Sequence, residues 1–378
     1  MNWIATTAMG LEAVAKRELL SLGFVVTEVT DGKVYFQGGY EEMAKANLWL
    51  RTADRVLLEV GRFPAVTFDQ LFESTKALPW EDFIPQEGSF PVDGKSVKST
   101  LFSISDCQSI VKKAIASKLG EVYDEVWLPE TKGLYQVQVS LLRDEATLTI
   151  DTSGAGLHKR GYRDYNSIAP LKETLAAALI QLSFWDKKRP LVDPFCGSGT
   201  ILIEAAMIGL NMPPGLNRTF SFESWPQIPE ELMPRLKSEA REAMDQDTQL
   251  FISGSDRDAS VLHLAKRHVE RAGVSHQIQL VHSDFKDMIY QGDYGCIVCN
   301  PPYGERMGEK EEVEALYREM GKMFQTLPQW SKYVITSHRG FERLTKLDAD
   351  RKRKVYNGRI QCNYYQFYGP RPPKEKIG

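Results

Sequence analysis

The stretch Leu191-Val192-Asp193-Pro194-Phe195-Cys196-Gly197-Ser198-Gly199-Thr200 reads as a short strand, a glycine loop and the opening of a helix. Gly197 and Gly199 allow a sharp turn and a close approach of backbone to a ligand. The apolar residues that follow, from Ile201, continue a helix over 199–209. Such a helix start offers unpaired N–H groups to a carboxylate or phosphate. The loop is not a phosphate-cradling nucleotide loop, because G-x-x-x-x-G-K-[ST] is absent, and it lacks the third glycine of G-x-G-x-x-G.

Strands and helices alternate outward from this point. A helix over 171–182 precedes the strand, and Ala169-Pro170-Leu171 places a proline near its start. After the glycine loop comes an insertion, 211–248, rich in proline and aromatic residues. The stretch Phe220-Ser221-Phe222-Glu223-Ser224-Trp225 within it reads as packing on this domain. Then follow a strand over 250–253, a helix over 259–272, strands over 277–281 and 296–299, a helix over 312–327 and a strand over 332–336. Residues 354–368 read as a hairpin across Asn357-Gly358. The expected fold is α/β: a doubly wound, mostly parallel sheet with an antiparallel hairpin at one edge.

In such sheets ligands bind beyond the carboxyl ends of the strands, near the point where strand order reverses. Three acids stand at three successive strand ends. Asp193 closes the first, Asp256 follows Phe251-Ile252-Ser253-Gly254-Ser255, and Asp284 follows Val281-His282-Ser283. Either later acid alone suits a helix cap, Asp256 especially. Together the three favour a nucleoside, with Asp256 at the ribose diol and Asp284 at the adenine amino group.

The apolar run Cys296-Ile297-Val298-Cys299 leads into Asn300-Pro301-Pro302-Tyr303-Gly304. Proline lacks an N–H and fixes φ, so the pair ends the strand and holds its carbonyls outward. The Asn300 carbonyl and a backbone carbonyl suit the two N–H groups of an exocyclic amine on a flat base, with Tyr303 stacked on the ring. Cys296 and Cys299 make a C-x-x-C, but at period two they point to opposite faces, which suits buried structural thiols rather than zinc or redox chemistry.

Residues 1–60 alternate strands and helices as a small α+β module. A helix over 10–22 stops at Gly23, a hairpin turns at Thr30-Asp31-Gly32, and a helix covers 41–51. Residues 61–155 carry helices over 68–77 and 106–119 and two strands, 135–142 and 145–151, joined at Arg143-Asp144. Gly154 to Arg163 is a glycine-rich, basic junction containing His158, Lys159, Arg160 and Arg163.

The 378 residues carry a net charge of −3, which is not that of a generally basic nucleic-acid binder. Residues 1–155 hold 15 Lys and Arg against 22 Asp and Glu, and the rest holds 32 against 28, so the acidity is concentrated in the N-terminal part. No apolar run approaches the roughly 18 residues a membrane helix needs. No secretory leader is visible, and five cysteines among apolar neighbours fit a reducing compartment, so a cytoplasmic location is expected.

The array D-P-F-C-G-S-G-T, S-D, S-D, N-P-P-Y-G resembles the class I S-adenosylmethionine-dependent methyltransferases that modify amino groups. Leu157-His158-Lys159-Arg160-Gly161-Tyr162-Arg163, Ala169-Pro170-Leu171-Lys172-Glu173-Thr174 and Thr7-Ala8-Met9-Gly10-Leu11-Glu12 narrow the likeness. With them the whole chain is similar to the THUMP-domain RNA methyltransferases, a group that includes the bacterial 23S rRNA guanine-N2 methyltransferases. The resemblance implies a ferredoxin-like segment over 1–60, a THUMP RNA-binding domain over 61–155, a linker over 156–170, and a Rossmann-like domain over 171–378 with a seven-stranded, mostly parallel sheet. It implies S-adenosyl-L-methionine as cofactor, held by Asp193, Phe195, Cys196, Gly197, Ser198, Gly199, Thr200, Asp256, Asp284 and Pro170, with no metal.

The resemblance also implies transfer at Asn300, Pro301, Pro302 and Tyr303, and RNA contacts from His158, Lys159, Arg160 and Arg163. The expected target is guanine N2 of 23S rRNA, in a chain expected not to be membrane-bound, whose oligomeric state the sequence leaves open, a monomer being compatible with it. A tRNA guanine, the N6 of adenine in DNA, and a non-catalytic RNA-binding assembly factor are the alternatives.

Overall fold

Among the described residues, which in this computed structural model are 1–163, 171–304 and 309–373, nine strands precede the one that leads into the glycine loop. Seven form one sheet: β1 (Asn2–Thr7), β2 (Val25–Thr30), β3 (Lys33–Gln37), β4 (Ala53–Pro64), β6 (Val92–Val97), β8 (Gln136–Leu142) and β9 (Glu145–Asp151). Their order is β2-β3-β1-β4-β9-β8-β6. The other two, β5 (Gly88–Ser89) and β7 (Lys132–Leu134), pair separately. Helices α1 (Glu12–Ser21), α2 (Tyr40–Trp49), α3 (Phe68–Lys76) and α4 (Ile104–Tyr123) lie between these strands in the chain.

The hairpins at Asp31-Gly32 and Arg143-Asp144 form where expected. Thr30 pairs with Lys33, and Leu142 with Glu145. Arg143 and Asp144 both take positive φ, 52° and 64°, as a two-residue turn between right-twisted strands requires.

Strand β4 is the main departure from the expected pattern. It pairs with β1 on one side and β9 on the other, so residues on both sides of position 60 share one sheet. Its apolar run, Val56-Leu57-Leu58, is short. Its alternation is then broken near Gly61, where the register with β9 shifts.

The chain divides into two compact units, with two exchanges between sequence and space. Residues 218–239, from the middle of the C-terminal half, belong to the N-terminal unit, and residues 8–14 belong to the C-terminal one. The aromatic stretch expected to pack on the C-terminal domain is therefore placed elsewhere. Trp225 stacks on Tyr135 (4.7 Å, 18°) and donates its indole N–H to the Leu134 carbonyl at 2.9 Å. Gln227 bridges the Tyr135 hydroxyl at 3.0 Å and the Phe83 carbonyl at 3.0 Å.

The C-terminal unit is built on β10 (Leu191–Asp193), β11 (Ile252–Asp256), β12 (Ile278–His282), β13 (Cys296–Cys299), β14 (Ser331–Thr336), β15 (Arg351–Asn357) and β16 (Ile360–Phe367). Their order is β12-β11-β10-β13-β14-β16-β15. The first five are parallel, and the β15–β16 hairpin adds an antiparallel edge. The hairpin turns at Gly358-Arg359, one residue later than expected, since Asn357 pairs with Ile360. The helices of this half are α5 (Glu173–Leu182), α6 (Thr200–Gly209), α7 (Leu232–Glu242, in the exchanged segment and its continuation), α8 (Ala259–Arg271), α9 (Glu309–Gln325) and α10 (Phe341–Thr345).

Apolar cores lie on both faces of this sheet. Along β13, Cys296 and Val298 join one core and Ile297 and Cys299 the other, as period two dictates. All five cysteines are buried and none forms a disulfide, and burial raises the Cys196, Cys296 and Cys299 thiols above their ordinary values. No helix among the described residues is long and apolar enough to cross a membrane.

Candidate active site

Strand order places the site. Strands β12, β11, β10 and β13 are neighbours and run parallel. The residues at or just beyond their carboxyl ends therefore line one edge in the order Asp284, Asp256, Asp193, Asn300. The order reverses between β10 and β13, which is where an open α/β sheet forms its crevice.

The glycine loop is sewn to β11. The Cys196 N–H donates to the Ser255 carbonyl at 2.9 Å, and the Gly197 N–H to the Asp256 carboxylate at 3.1 Å. Gly197 and Gly199 hold φ of +52° and +82°, a region that disfavours side chains. A Cβ built on Gly197 meets nothing within 4 Å, so the loop presents bare backbone to open space. Gly199 ends the loop as the N-cap of α6.

Gly254 was not singled out from the sequence, yet it makes this packing possible. A Cβ there would lie 2.4 Å from Leu202 Cδ1 and 2.9 Å from Cys196 Cβ. His268 of α8, also unexpected, is fully buried with Nδ1 3.1 Å from the Ser198 carbonyl. Ser198 Oγ lies 3.4 Å from Thr200 Oγ1.

The three acids have different surroundings. Asp193 is almost fully buried and accepts the Phe195 N–H at 3.0 Å. Burial, aided by the nearby Asp256 charge and opposed by that hydrogen bond, pushes its carboxyl up to about 8. Asp256 is half-buried and accepts the N–H groups of Gly197 and, at 3.0 Å, Asp258. The cap of α8 is Asp258, whose side chain accepts the Ser260 N–H at 2.9 Å, so Asp256 does not serve as that cap. Asp284 accepts the Lys286 N–H at 3.1 Å. Phe195 packs against Phe285 at 5.2 Å between ring centres.

After β13, Pro301 is buried and Asn300 and Tyr303 are half-buried. The Tyr303 hydroxyl donates to Asn300 Oδ1 at 2.6 Å, and the ring packs against the C-terminal core. The Pro302 carbonyl accepts the Tyr317 hydroxyl at 2.6 Å.

The basic junction corrects the expectation placed on it. Arg160 and Arg163 are buried, not presented to a phosphate. Arg160 pairs with Glu204 of α6 at 3.4 Å, and the Tyr162 hydroxyl donates to the same carboxylate at 3.1 Å. Arg163 pairs with Glu173 at 3.4 Å and donates to the Leu171 carbonyl at 3.2 Å and to Thr200 Oγ1. Arg163 joins the junction to the starts of α5 and α6, and Arg160 joins it to the second turn of α6. Lys159 is exposed and His158 half-buried. Pro170 lies outside the described residues. Glu204 was missed, although an acid alone in the apolar run Ile201-Leu202-Ile203-Glu204-Ala205-Ala206 signals a buried partner.

The sequence matches known families over most of its length. Residues 160–366 match the family described as RMKL-like, methyltransferase domain. Residues 2–57 match the RlmL ferredoxin-like domain and 65–151 the THUMP domain. The Bacillus subtilis protein YpsC, whose name proposes an RNA methyltransferase, is 50% identical over 99% of this chain and 97% of its own length. The ribosomal RNA large subunit methyltransferase K/L of Syntrophotalea carbinolica is 33% identical over 97% of this chain, which spans 53% of that longer protein.

Among solved structures, SMU.472, whose description proposes a methyltransferase and records a complex with SAH, superposes with a TM-score of 0.94 and 45% identity, covering 98% of this chain and 99% of that one. A Listeria monocytogenes protein described as a predicted N6-adenine-specific DNA methylase superposes with a TM-score of 0.93 and 49% identity, covering 98% and 96%.

Proposed function

The chain belongs to the RMKL-like methyltransferases, and from that premise we propose that it methylates an exocyclic amino group of RNA, guanine N2 of 23S rRNA, using S-adenosylmethionine. The observation that carries this reading is the single sheet edge bearing Asp284, Asp256, Asp193 and Asn300 in register. The structure of SMU.472 with S-adenosylhomocysteine supports the cofactor. The THUMP match and the names of the Bacillus and Syntrophotalea relatives support RNA.

The residues present fit this cofactor. The open backbone at Gly197 and the N-terminus of α6 suit a carboxylate, and Asp256 and Asp284 offer acceptors for a ribose diol and an adenine amino group. Asp193, Phe195, Cys196, Ser198, Gly199 and Thr200 shape the loop around it. When bound, S-adenosylmethionine supplies a methyl group on an electrophilic sulfonium.

The protein's main contribution is then alignment. Asn300 Oδ1 and the Pro301 carbonyl would accept the two N–H bonds of the target amine. An amide oxygen has two lone pairs, so Asn300 can accept from Tyr303 and from substrate together. Both acceptors bind more strongly as positive charge develops on nitrogen, which favours the transition state over the ground state. The cationic nitrogen then releases its proton without needing a strong base. The Tyr303 ring is the proposed stacking face, and the base leaves its own stack to reach it. Lys159, which is exposed, and His158 are the junction residues proposed to meet RNA.

The test is to digest RNA from a strain lacking the protein and to find which modified nucleoside disappears. Loss of N2-methylguanosine from 23S rRNA is expected. Asn-Pro-Pro-Tyr suits the amino group of adenine equally well, and the Listeria relative's description favours that second reading. Loss of N6-methyladenine from DNA with RNA unchanged would establish it instead.

A further inference from the structure

The loop that carries Asn300 is held from behind by a chain of hydrogen bonds whose centre is buried. The His338 N–H donates to Thr336 Oγ1 at 3.0 Å. Thr336 Oγ1 lies 2.9 Å from the Tyr317 hydroxyl, which donates to the Pro302 carbonyl at 2.6 Å. The ends of this chain fix its direction. A backbone N–H only donates, a carbonyl only accepts, and each hydroxyl carries one proton. Thr336 therefore donates to Tyr317, and every proton in the relay has one acceptor.

The relay joins three elements. Tyr317 comes from α9, Thr336 ends β14, and Pro302 follows β13. Tyr317 and Thr336 are fully buried. The Tyr317 ring stands edge-on to Phe341 (4.9 Å, 78°) and to His338 (5.5 Å, 84°), which fixes where its hydroxyl points. Because both prolines have fixed φ, holding the Pro302 carbonyl also restricts the Pro301 carbonyl and the Asn300 side chain before it.

We propose that Tyr317 is a positioning residue for methyl transfer, setting the acceptor geometry of the Asn300–Tyr303 loop through the Pro302 carbonyl. The proposal rests on the amino-methylation reading above. A misplacement of about 1 Å costs roughly 100-fold in rate, and a loop that keeps its packing moves less.

The test uses the full chain, tritiated S-adenosylmethionine and total RNA from a strain lacking the protein. In Tyr317→Phe the single-turnover rate should fall about tenfold, while S-adenosylhomocysteine affinity by calorimetry stays within about twofold, because alignment rather than cofactor binding is lost. Thr336→Val should reproduce the loss, and Thr336→Ser should restore it. The Tyr317→Phe/Thr336→Val double variant should be no slower than the slower single variant, since both break one relay. A wild-type rate in Tyr317→Phe would overturn the proposal. So would parallel losses of rate and cofactor affinity, which would mean that the whole site had shifted.

A second readout needs no substrate. Pro302-Tyr303 is the only Pro-Tyr pair in the sequence. Carbonyl-13C proline with 15N tyrosine therefore gives one assignable resonance for the Pro302 carbonyl. It should move in Tyr317→Phe, and an unmoved resonance would also overturn the proposal. Wild-type protein that transfers no methyl to this RNA would count against the proposed function, and the resonance would then decide the relay alone.

Discussion

The Tyr303 hydroxyl donates to Asn300 Oδ1 at 2.6 Å, within the loop proposed to receive the target amine. Burial raises the Tyr303 hydroxyl well above its ordinary value, so it keeps its proton and remains a donor at neutral pH. The bond fixes which atom of the Asn300 amide is oxygen and where that oxygen lies. Tyr303→Phe keeps the ring and removes the donor, so a single-turnover rate about fivefold lower is expected, the equivalent of one net hydrogen bond of about 1 kcal/mol. Asn300→Ala should abolish transfer while S-adenosylhomocysteine still binds. Full activity in that variant would end the mechanism.

Asp256 and Asp258 stand two residues apart and do different work. Asp258 caps α8, and Asp256 holds the Gly197 amide. Asp258→Ala should lower the thermal unfolding midpoint and leave cofactor affinity unchanged, because only a helix cap is removed. Asp256→Ala should weaken S-adenosylhomocysteine binding at least about tenfold, the scale of a lost hydrogen bond to a charged group. Calorimetry paired with thermal melts separates the two, and equal loss of affinity in both variants would refute the division.

Asp193 makes folding sensitive to pH. Its carboxyl titrates near 8 in the folded protein against an ordinary value of 3.8. Between those values the unfolded chain has released this proton and the folded one has kept it. Folding then takes up a proton, so the Asp193 contribution becomes less favourable as pH rises through this window and levels off above about 8. Asp193→Asn should remove it. The difference in unfolding free energy between variant and wild type, measured by urea titration without cofactor, should grow in the variant's favour from pH 5 to 8. A difference that stays flat would show that Asp193 ionises normally.

Much of the C-terminal sheet was legible because its signals are local. A four-residue apolar strand, a glycine loop and a proline pair each declare themselves within ten residues. The details that failed depend on partners distant in sequence. The strand carrying Asp256 was placed at 250–253 but runs Ile252–Asp256, which puts the acid on the strand and leaves the cap to Asp258. The home of Trp225 was hidden because Tyr135, on which it stacks, belongs to another part of the chain. Strand β4 was hidden by its own irregularity at Gly61. The basic junction misled most. A run of His, Lys and Arg reads as a solvated surface, and nothing within it reveals that Glu204, 44 residues away, draws Arg160 inside.

That buried pair gives a sharp test. The Arg160 and Glu204 side chains are almost fully buried, so removing the guanidinium leaves a carboxylate without its charge partner. Arg160→Leu should cost about 3–5 kcal/mol of unfolding free energy in urea. Replacing both partners, Arg160→Met with Glu204→Leu, should recover much of it, because a buried ion pair is often no better than apolar packing. Recovery should be incomplete, since the Tyr162 hydroxyl loses its acceptor at a cost of about 1–3 kcal/mol. The folded double variant also isolates the RNA question. If Arg160 neutralised a phosphate, the slope of log affinity for RNA against log salt would become shallower by about one. Its burial against Glu204 predicts an unchanged slope. Lys159→Ala, at the exposed neighbouring position, is the comparison in which the slope should become shallower.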